Sequence, residues 1–164
     1  MYDPQPLNQQ HHMDSFDCGK EELNFWLSTS ALQAERNRTA RTFVWTSDGE
    51  HDVVAYYSLA GHLLQKDEIP SRAGRGGPSQ IPAVILARLA LHKTLQGGGL
   101  GGRLLVHALS TALESSRSVA ARLVVVDALD EEAARFYEKY GFIRVPGNMR
   151  LVRKMSDIEA DLSG

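Results

Sequence analysis

With 164 residues, 43% of them hydrophobic and 23% charged, the sequence is typical of a soluble globular protein, and we predict a single domain over residues 1–164. Its formal net charge of −2 provides no general attraction for nucleic acid, so a polyanionic partner has to bind a local basic patch. The single cysteine, Cys18, excludes an intramolecular disulfide and a cysteine-rich zinc site.

The first half of the chain is predicted to contain helices followed by a strand pair. Leu23, Trp26 and Leu27 have the spacing of one face of an amphipathic helix. Residues rich in β-branched and aromatic side chains on either side of a Gly-Glu turn predict two strands. The predicted elements are a helix beginning near Lys20, a helix from about Ser30 to Arg36, strands at Thr42–Thr46 and Val53–Ala60, and a long basic loop from Gln65 to Pro82.

The second half alternates strands and helices. Acidic residues begin its last helix and Gly141 ends it, as the helix dipole and a C-terminal cap favour. The predicted elements are a buried strand at Ala83–Leu91, a helix at Leu100–Ser115, a strand at Arg122–Asp127, a helix at Asp130–Tyr140, and closing strands at Phe142-Ile143 and Met149–Val152. This order predicts one mixed α/β sheet with helices on both faces.

The expected location follows from cysteine usage and hydropathy. A lone cysteine fits a reducing compartment, and no apolar run approaches the roughly 18 residues that span a bilayer. The polar N-terminal segment lacks the pattern of a signal peptide, so we expect a cytoplasmic protein that does not bind a membrane. His11 and His12 are adjacent and point in different directions in regular structure, and we predict no metal site.

The stretch from Ile85 to Leu105 is the most informative part of the sequence. An apolar run ends at Leu91, a glycine-rich segment follows (Gln96–Gly102, the glycine loop), and an apolar-periodic helix comes after it. Glycines at a strand-to-helix junction let the backbone approach a ligand, and the unpaired N–H groups of the helix start favour an anion. These residues predict a phosphate or pyrophosphate site.

Three other interpretations of the glycine loop fit less well. Gly97, Gly99 and Gly102 satisfy the dinucleotide-binding pattern, but that pattern belongs after the first strand of a repeated βαβ unit, and here it lies past the middle of the chain. A nucleotide P-loop requires Lys-Ser or Lys-Thr where this chain has Arg103-Leu104. A turn without a ligand stays open, although so many glycines would weaken a turn that binds nothing.

A resemblance selects among these ligands. Gln96-Gly97-Gly98-Gly99-Leu100-Gly101 resembles the Gln/Arg-x-x-Gly-x-Gly/Ala motif of GNAT-type N-acetyltransferases. Arg88–Leu91 resembles the strand before that motif, and Ala133–Phe142, which includes Phe136-Tyr137-Glu138 and Gly141, resembles the family's final helix–strand junction. Order and spacing agree over about the last half of the chain.

The resemblance implies a fold and an acetyl donor. The fold is a central, mostly antiparallel sheet with helices on both faces and one splayed parallel pair, Leu86–Leu91 with Leu123–Val126. The donor is acetyl-CoA, held by backbone groups of the first strand at its pantetheine arm and by loop amides at its pyrophosphate. The implied acetyl-CoA-binding residues are Leu89, Ala90, Leu91, Gln96, Gly97, Gly98, Gly99, Leu100, Gly101, Gly102 and Arg103.

Tyr137 is implied to be the general acid, since it lies four residues before Gly141, where the family places a proton donor for the departing thiolate. Core packing is its alternative role, and Tyr140 is a weaker candidate acid. No histidine or carboxylate stands out as a general base. An α-amino group has a pKa near 8, against about 10.4 for lysine, so a site without a strong base suits an α-amine. Cys18 has no histidine motif beside it, and we expect no acyl-enzyme.

The N-terminal half narrows the resemblance. Phe16-Asp17-Cys18-Gly19, Arg41-Thr42-Phe43-Val44 and Tyr56-Tyr57-Ser58-Leu59-Ala60 are similar to segments of the GNAT toxins of bacterial type II toxin–antitoxin pairs. Those enzymes acetylate the α-amino group of aminoacyl-tRNA, block translation, are usually homodimers, and are neutralised by a ribbon-helix-helix antitoxin. The alternatives are an acetyltransferase for small amines or protein N-termini and a non-catalytic acetyl-CoA-binding or interaction module.

A tRNA substrate requires basic residues to cluster despite the negative net charge. Arg36, Arg38 and Arg41 belong to the most basic short run of the chain, which is either a solvated helix end or a contact for phosphates. The candidate tRNA-binding residues are Arg36, Arg38, Arg41, Arg72 and Arg75.

Overall fold

The structure is a computed structural model that describes residues 2–164, apart from the side chain of residue 72. The strands are β1 (Gln5–Pro6), β2 (Arg41–Thr46), β3 (Val53–Gln65), β4 (Gln80–Leu91), β5 (Leu123–Asp127), β6 (Ile143–Arg144) and β7 (Arg150–Lys154). The helices are α1 (Glu21–Thr29), α2 (Ala31–Asn37), the short α3 (Ser71–Gly74), α4 (Leu100–Ser115), α5 (Glu131–Lys139) and α6 (Met155–Ser163).

The strands form a seven-stranded mixed sheet in the order β1-β2-β3-β4-β5-β7-β6. β4 and β5 are parallel, with registers from Ala83–Leu123 to Leu86–Val126, and β1–β2, β2–β3, β5–β7 and β6–β7 are antiparallel. The predicted mixed α/β fold with a parallel pair is therefore confirmed. Among the described residues, no helix is long and apolar enough to cross a membrane.

The chain divides into two compact units, each described by itself. The first unit comprises Met1–Ala60 and Ala87–Ala108, and the second comprises Gly61–Leu86 and Leu109–Gly164. The single domain that the sequence suggests stays a prediction.

Helices cover both faces of the strands in the first unit. Val44 and Trp45 are neighbours on β2 and face opposite sides of it. Val44 packs in a core with Leu27 of α1 and Tyr56 of β3. On the other side, Nε1 of Trp45 donates a hydrogen bond to Nδ1 of His107 in α4 at 2.9 Å. The predicted amphipathic stripe of α1 thus faces the core.

Two details of α2 affect the basic run that follows it. α2 ends at Asn37 and is capped by Arg38, whose φ of 61° lies in the left-handed region and whose N–H donates to carbonyls of the last helical turn. Glu35 of α2 accepts hydrogen bonds from the backbone N–H of Thr42 at 2.5 Å and from Nη1 of Arg41 at 2.8 Å. These contacts connect the end of α2 to the start of β2.

The core of the second unit forms where the segment after β3 packs on the sheet. Ile69 and Ala73 of that segment lie in one cluster with Leu123 and Val125 of β5. α5 begins at its cap Asp130, whose side chain accepts from Ala133 N at 2.8 Å. The helix therefore has the boundaries that its acidic start and Gly141 predict.

Several elements extend beyond the predictions. β3 continues to Gln65, β4 begins at Gln80, and the segment predicted as a loop contains α3 and a 3₁₀ turn. β1 and α6 were not predicted. β1 has only two residues, which is too short for an alternation of apolar and polar residues to indicate a strand. In α6, Met155 and Ile158 are buried and have helical spacing, so the sequence contains a pattern that indicates this helix.

Candidate functional site

The glycine loop has backbone angles that require glycine. Gly97 and Gly99 have φ of +89° and +87°, in the left-handed region that other residues avoid. Gly98 has no such angle, and a Cβ added to it would meet no atom within 4 Å. The protein itself therefore does not require glycine at position 98, whereas a ligand that lies against the backbone would.

The start of α4 suits an anion. The helix begins at Leu100, so the N–H groups of its first turn have no partner within the helix, apart from the long contact of Arg103 N with Gly99 O at 3.4 Å. No acidic residue lies in this turn to compete with a bound anion. N–H groups that the helix itself does not use, the positive dipole end and open space beside Gly98 fit a pyrophosphate, as the sequence predicts.

Gln96 fixes the entrance to the glycine loop. Its side-chain Nε2 donates to the carbonyl oxygens of Leu91, at the end of β4, and of Cys18, each at 2.8 Å. Both N–H groups of this amide are therefore used inside the protein. The side chain connects the last residue of the strand, the loop and an N-terminal segment distant in sequence.

Asp17 supports the same junction. Its carboxylate accepts hydrogen bonds from Gly19 N at 2.9 Å and from Asn24 Nδ2 at 3.1 Å, and it forms an ion pair with Lys93 Nζ at 2.8 Å. Its carbonyl accepts from Lys93 N at 2.8 Å. The hydrogen bonds from Lys93 and, to a smaller extent, from Gly19 and Asn24 lower the pKa of Asp17 to about 2, so the carboxylate stays charged at neutral pH.

Sequence patterns do not indicate this support. Phe16-Asp17-Cys18-Gly19 resembles a family segment, but nothing in the sequence assigns a role to Asp17, Asn24 or Lys93. The contact between Gln96 and Cys18 joins residues 78 positions apart, so no local pattern indicates it. The structure shows that this N-terminal segment holds the residues just before the glycine loop.

The parallel pairing of β4 with β5 stops before β4 ends. The β4–β5 ladder has its last pair at Leu86–Val126, five residues before β4 ends at Leu91. Leu89, Ala90 and Leu91 lie in this final part, and Ala90 and Leu91 are buried. All the predicted acetyl-donor residues, Leu89–Leu91 and Gln96–Arg103, lie in the first unit.

Cys18 is unsuited to nucleophilic catalysis. The residue is buried, and burial raises the pKa of its thiol, so the thiol stays protonated at neutral pH. Its Sγ donates a hydrogen bond to the carbonyl oxygen of Lys20, at 3.5 Å. This environment agrees with the expectation that no acyl-enzyme forms at this residue.

Tyr137 lies near the C-terminal end of α5, in the second unit. Its ring makes edge contacts with Phe136 and Phe142, with centroids 5.3 and 5.5 Å away. Its carbonyl accepts from the N–H groups of Tyr140 and Phe142. Burial raises the pKa of Tyr137, so its hydroxyl keeps its proton at neutral pH, as a proton donor requires.

The candidate tRNA-binding arginines have unequal environments. Arg36, Arg38 and Arg41 are exposed at the end of α2 and the start of β2. Arg41 is paired with Glu35, which offsets part of its charge, whereas Arg36 donates to the neutral Gln33 at 2.9 Å. Arg75 is exposed in the second unit, and the side chain of Arg72 lies outside the described part.

The described part of the chain contains no candidate metal site. Among residues 2–164, no group of three or more His, Cys, Asp or Glu side chains is placed to hold a metal ion. The first unit contains a backbone cradle for an anion and its support, and the second unit contains a protonated tyrosine.

The family follows from comparison with known proteins. Residues 38–144 match the acetyltransferase (GNAT) domain family, and this match covers more than half of the sequence. The chain belongs to the GNAT acetyltransferase family.

Individual relatives are similar over nearly the whole chain. The tRNA-acetylating toxin of Mycobacterium tuberculosis (strain ATCC 25618 / H37Rv) is 32% identical over 158 residues, which are 96% of this chain and 94% of that protein. AtaT complexed with acetyl-methionyl-tRNAfMet is 30% identical, with a TM-score of 0.89 over 99% of both chains. A Tyr-to-Phe mutant of AtaT bound to the C-terminus of the antitoxin AtaR and acetyl-CoA is 29% identical, with a TM-score of 0.86 over 99% of both chains.

These comparisons confirm four predictions. The resemblance to GNAT toxins, the GNAT fold, the acetyltransferase class and acetyl-CoA as donor all stand. The assignment of individual residues stays a prediction.

Proposed function

We propose that this chain is a toxin that transfers the acetyl group of acetyl-CoA to the α-amino group of aminoacyl-tRNA and so blocks translation. The observation that carries the proposal is the 32% identity, over 96% of the chain, to a tRNA-acetylating toxin. Similarity of this extent includes the N-terminal segment that supports the glycine loop, and not only the donor site that all family members share.

The donor side rests on the first unit. Bound acetyl-CoA supplies an acetyl thioester that an amine attacks directly. The amides of the glycine loop bind its pyrophosphate, and the backbone of Leu89, Ala90 and Leu91 binds its pantetheine arm. Gln96 and Asp17 hold these two parts of the backbone in place through the contacts described above. The side chains contribute little direct chemistry.

Attack by the acceptor amine requires few side chains of the protein. An α-amine with a pKa near 8 is partly unprotonated at neutral pH and does not require a strong base. Tyr137 then serves as the proton donor to the departing sulfur, since its hydroxyl is protonated at neutral pH. The Tyr-to-Phe mutant of AtaT supports testing the same substitution here.

Binding of the tRNA body is assigned to the arginines. Arg36, Arg38 and Arg41 contact phosphates, with Arg72 and Arg75 as further contacts. We also propose that the protein is a single-domain homodimer in the cytoplasm, where charged tRNA is available, and that a ribbon-helix-helix antitoxin neutralises it. The AtaT complex with the C-terminus of AtaR supports an antitoxin partner, and sedimentation analysis of the purified chain tests the dimer.

The direct test is acetylation of charged tRNA. The purified protein is incubated with labelled acetyl-CoA and total aminoacyl-tRNA, and the aminoacyl adenosine released by nuclease is analysed by mass spectrometry. We expect an added acetyl group on the α-amine of some species and none on uncharged tRNA. If only small amines or peptide N-termini are acetylated, the protein is an acetyltransferase for those substrates. If no acetyl group is transferred at all, it is a non-catalytic acetyl-CoA-binding or interaction module.

Tyr137→Phe tests the proposed acid. The substitution removes only the hydroxyl and keeps the ring contacts with Phe136 and Phe142. We expect turnover to fall by about a hundredfold or more, the usual contribution of general acid catalysis, with acetyl-CoA affinity unchanged. Tyr2→Phe, which removes a hydroxyl and keeps the ring stacked on Trp45, is the control and should turn over normally. Equal rates for both variants would remove Tyr137 from the mechanism.

A further inference from the structure

The guanidinium of Arg88 lies on the face of an aromatic ring beside the predicted donor strand. Its Cζ is 3.8 Å from the centroid of the Trp26 ring in α1, which is the geometry of a cation–π contact. Arg88 is half-buried on β4, next to Leu89, the first of the predicted pantetheine-binding residues. These residues all belong to the first unit. Neither the predicted donor site nor the basic run at the end of α2 includes Arg88.

The ring of Trp26 is held in place by the core of this unit. It is nearly parallel to the ring of Tyr56, with centroids 6.1 Å apart and planes at 14°. Tyr56 is fully buried, and its hydroxyl donates a hydrogen bond at 2.8 Å to the carbonyl of Leu23, three residues before Trp26 in α1. Contacts between α1 and β3 therefore fix the ring on which Arg88 lies.

The guanidinium of Arg88 has no hydrogen-bond partner in the part of the chain that the structure describes. The exposed carboxylate of Glu22 attracts it from a distance, and no ion pair joins the two. Burial lowers the pKa of Arg88, but an arginine stays charged at neutral pH. Among the described residues, no fully buried side-chain nitrogen lacks a partner, so the N–H groups of Arg88 reach the surface. A half-buried positive charge with accessible, unused donors suits an anion.

The contact with the ring also fixes the direction of these donors. A guanidinium that lies flat on an aromatic face leaves its edge for ligands, and the N–H groups along that edge match two oxygens of a phosphate or a carboxylate. Trp26 thus holds Arg88 in the orientation that such a two-contact bond requires. Less side-chain freedom is lost on binding, which favours affinity.

The place of Arg88 on β4 indicates on which side of the donor this anion lies. The proposed function assigns the pyrophosphate to the glycine loop, after Leu91, and the pantetheine arm to Leu91, Ala90 and Leu89. At about 3.3 Å per strand residue, the backbone of Arg88 is about 10 Å from that of Leu91, in the direction away from the loop. Arg88 therefore lies toward the acetyl end of the donor, where the acceptor arrives.

We infer that Arg88 binds the last phosphodiester of the charged tRNA, next to the adenosine that carries the amino acid. In an aminoacyl ester the amino acid has no free α-carboxylate, so this phosphate is the anion that all charged tRNAs carry nearest to the reacting α-amine. Simple amines and protein N-termini have no phosphate in this place. Arg88 thus selects amines that are attached to a nucleotide, and Trp26 is its positioning residue. This inference rests on the proposed function and names the part of the tRNA that the site recognises.

A double-mutant cycle between protein and tRNA tests the contact. The kcat/KM is measured for the wild type and for Arg88→Gln, each with a charged tRNA that has either the natural last phosphodiester or a neutral methylphosphonate in its place. For the wild type we expect a loss of roughly tenfold or more with the methylphosphonate, because hydrogen bonds to a charged group are lost. Arg88→Gln should be slower on the natural tRNA by a similar factor and should lose nothing further on the methylphosphonate.

Two other variants complete the cycle. Arg117→Gln removes an exposed arginine of the second unit, and as the control it should keep the full sensitivity to the methylphosphonate. Trp26→Leu should reduce that sensitivity without abolishing it, since the charge of Arg88 stays and its orientation is lost. The affinity of Arg88→Gln for acetyl-CoA should equal that of the wild type. A weaker affinity together with an unchanged sensitivity would place Arg88 at the donor and overturn the inference.

The outcomes separate this inference from the proposed function. If the wild type acetylates both tRNAs equally well, or if Arg88→Gln loses as much on the methylphosphonate as the wild type does, the assignment of Arg88 is overturned and the proposed function stands. If the wild type acetylates neither tRNA, the proposed function is overturned together with it.

Discussion

Replacing Gln96 with alanine should weaken acetyl-CoA binding through the shape of the glycine loop. The side chain donates two hydrogen bonds, both at 2.8 Å, to the carbonyls of Leu91 and Cys18. Without them, the strand end and the loop lose their connection to the N-terminal segment. The loop amides then have to be ordered when the donor binds, and that ordering reduces affinity.

The size of the effect follows from the number of hydrogen bonds. A neutral intramolecular hydrogen bond contributes about 0.5–1.5 kcal/mol net, so the two together contribute about 1–3 kcal/mol. If the whole amount is subtracted from binding, the Kd for acetyl-CoA rises by a factor of about 5 to 150, and we expect a value near tenfold. Gln96→Glu should be worse, since it removes both donors and places a negative charge beside the anion site.

Isothermal titration calorimetry of acetyl-CoA is the assay, with thermal unfolding measured in parallel. Gln10→Ala, at an exposed position, is the control and should bind as the wild type does. If Gln96→Ala binds acetyl-CoA with wild-type affinity, the glycine loop keeps its conformation without these hydrogen bonds, and the reasoning above is refuted.

Two further predictions concern charge. The pKa of Asp17 is about 2 in the folded chain, below its ordinary 3.8, so the ionised form stabilises the fold above about pH 4 and this contribution disappears as the pH falls through about 2. Asp17→Asn should therefore lower the melting temperature at pH 7, and the difference from wild type should narrow between pH 4 and pH 2; a constant difference would refute it. Reversing the charge of Arg36 and Arg38 together should weaken tRNA acetylation, with acetyl-CoA affinity intact. The log–log slope of its salt dependence should fall by about one unit for each phosphate that is no longer bound. Arg117→Glu is the control, and an unchanged salt slope would discard this patch.

Local patterns predicted the elements around the donor site. The helix after the glycine loop has the predicted bounds, Leu100–Ser115, because a glycine-rich turn and an apolar periodicity mark its start independently. The segment between β3 and β4 was harder to predict. Its prolines and glycines indicate a loop, but Ile69 and Ala73 are buried by tertiary packing, and this packing stabilises α3.

The candidate site was predictable where the backbone forms it and hidden where side chains from distant segments meet. The glycine spacing indicated an anion site directly. The contacts of Gln96 with Cys18 and of Asp17 with Lys93 join segments that are far apart in the sequence, so they appear only in the fold. Similarly, the run of arginines did not reveal that Glu35 pairs with Arg41.

Arg38 shows a compromise between stability and charge. It holds a left-handed φ of 61° at the end of α2, a position where glycine is favoured and where another residue costs roughly 1–2 kcal/mol. Arg38→Gly should therefore raise the melting temperature of the chain. If Arg38 contacts phosphate, the same variant acetylates tRNA less well, and the arginine at this position gives the chain affinity for tRNA at the expense of a more stable helix end.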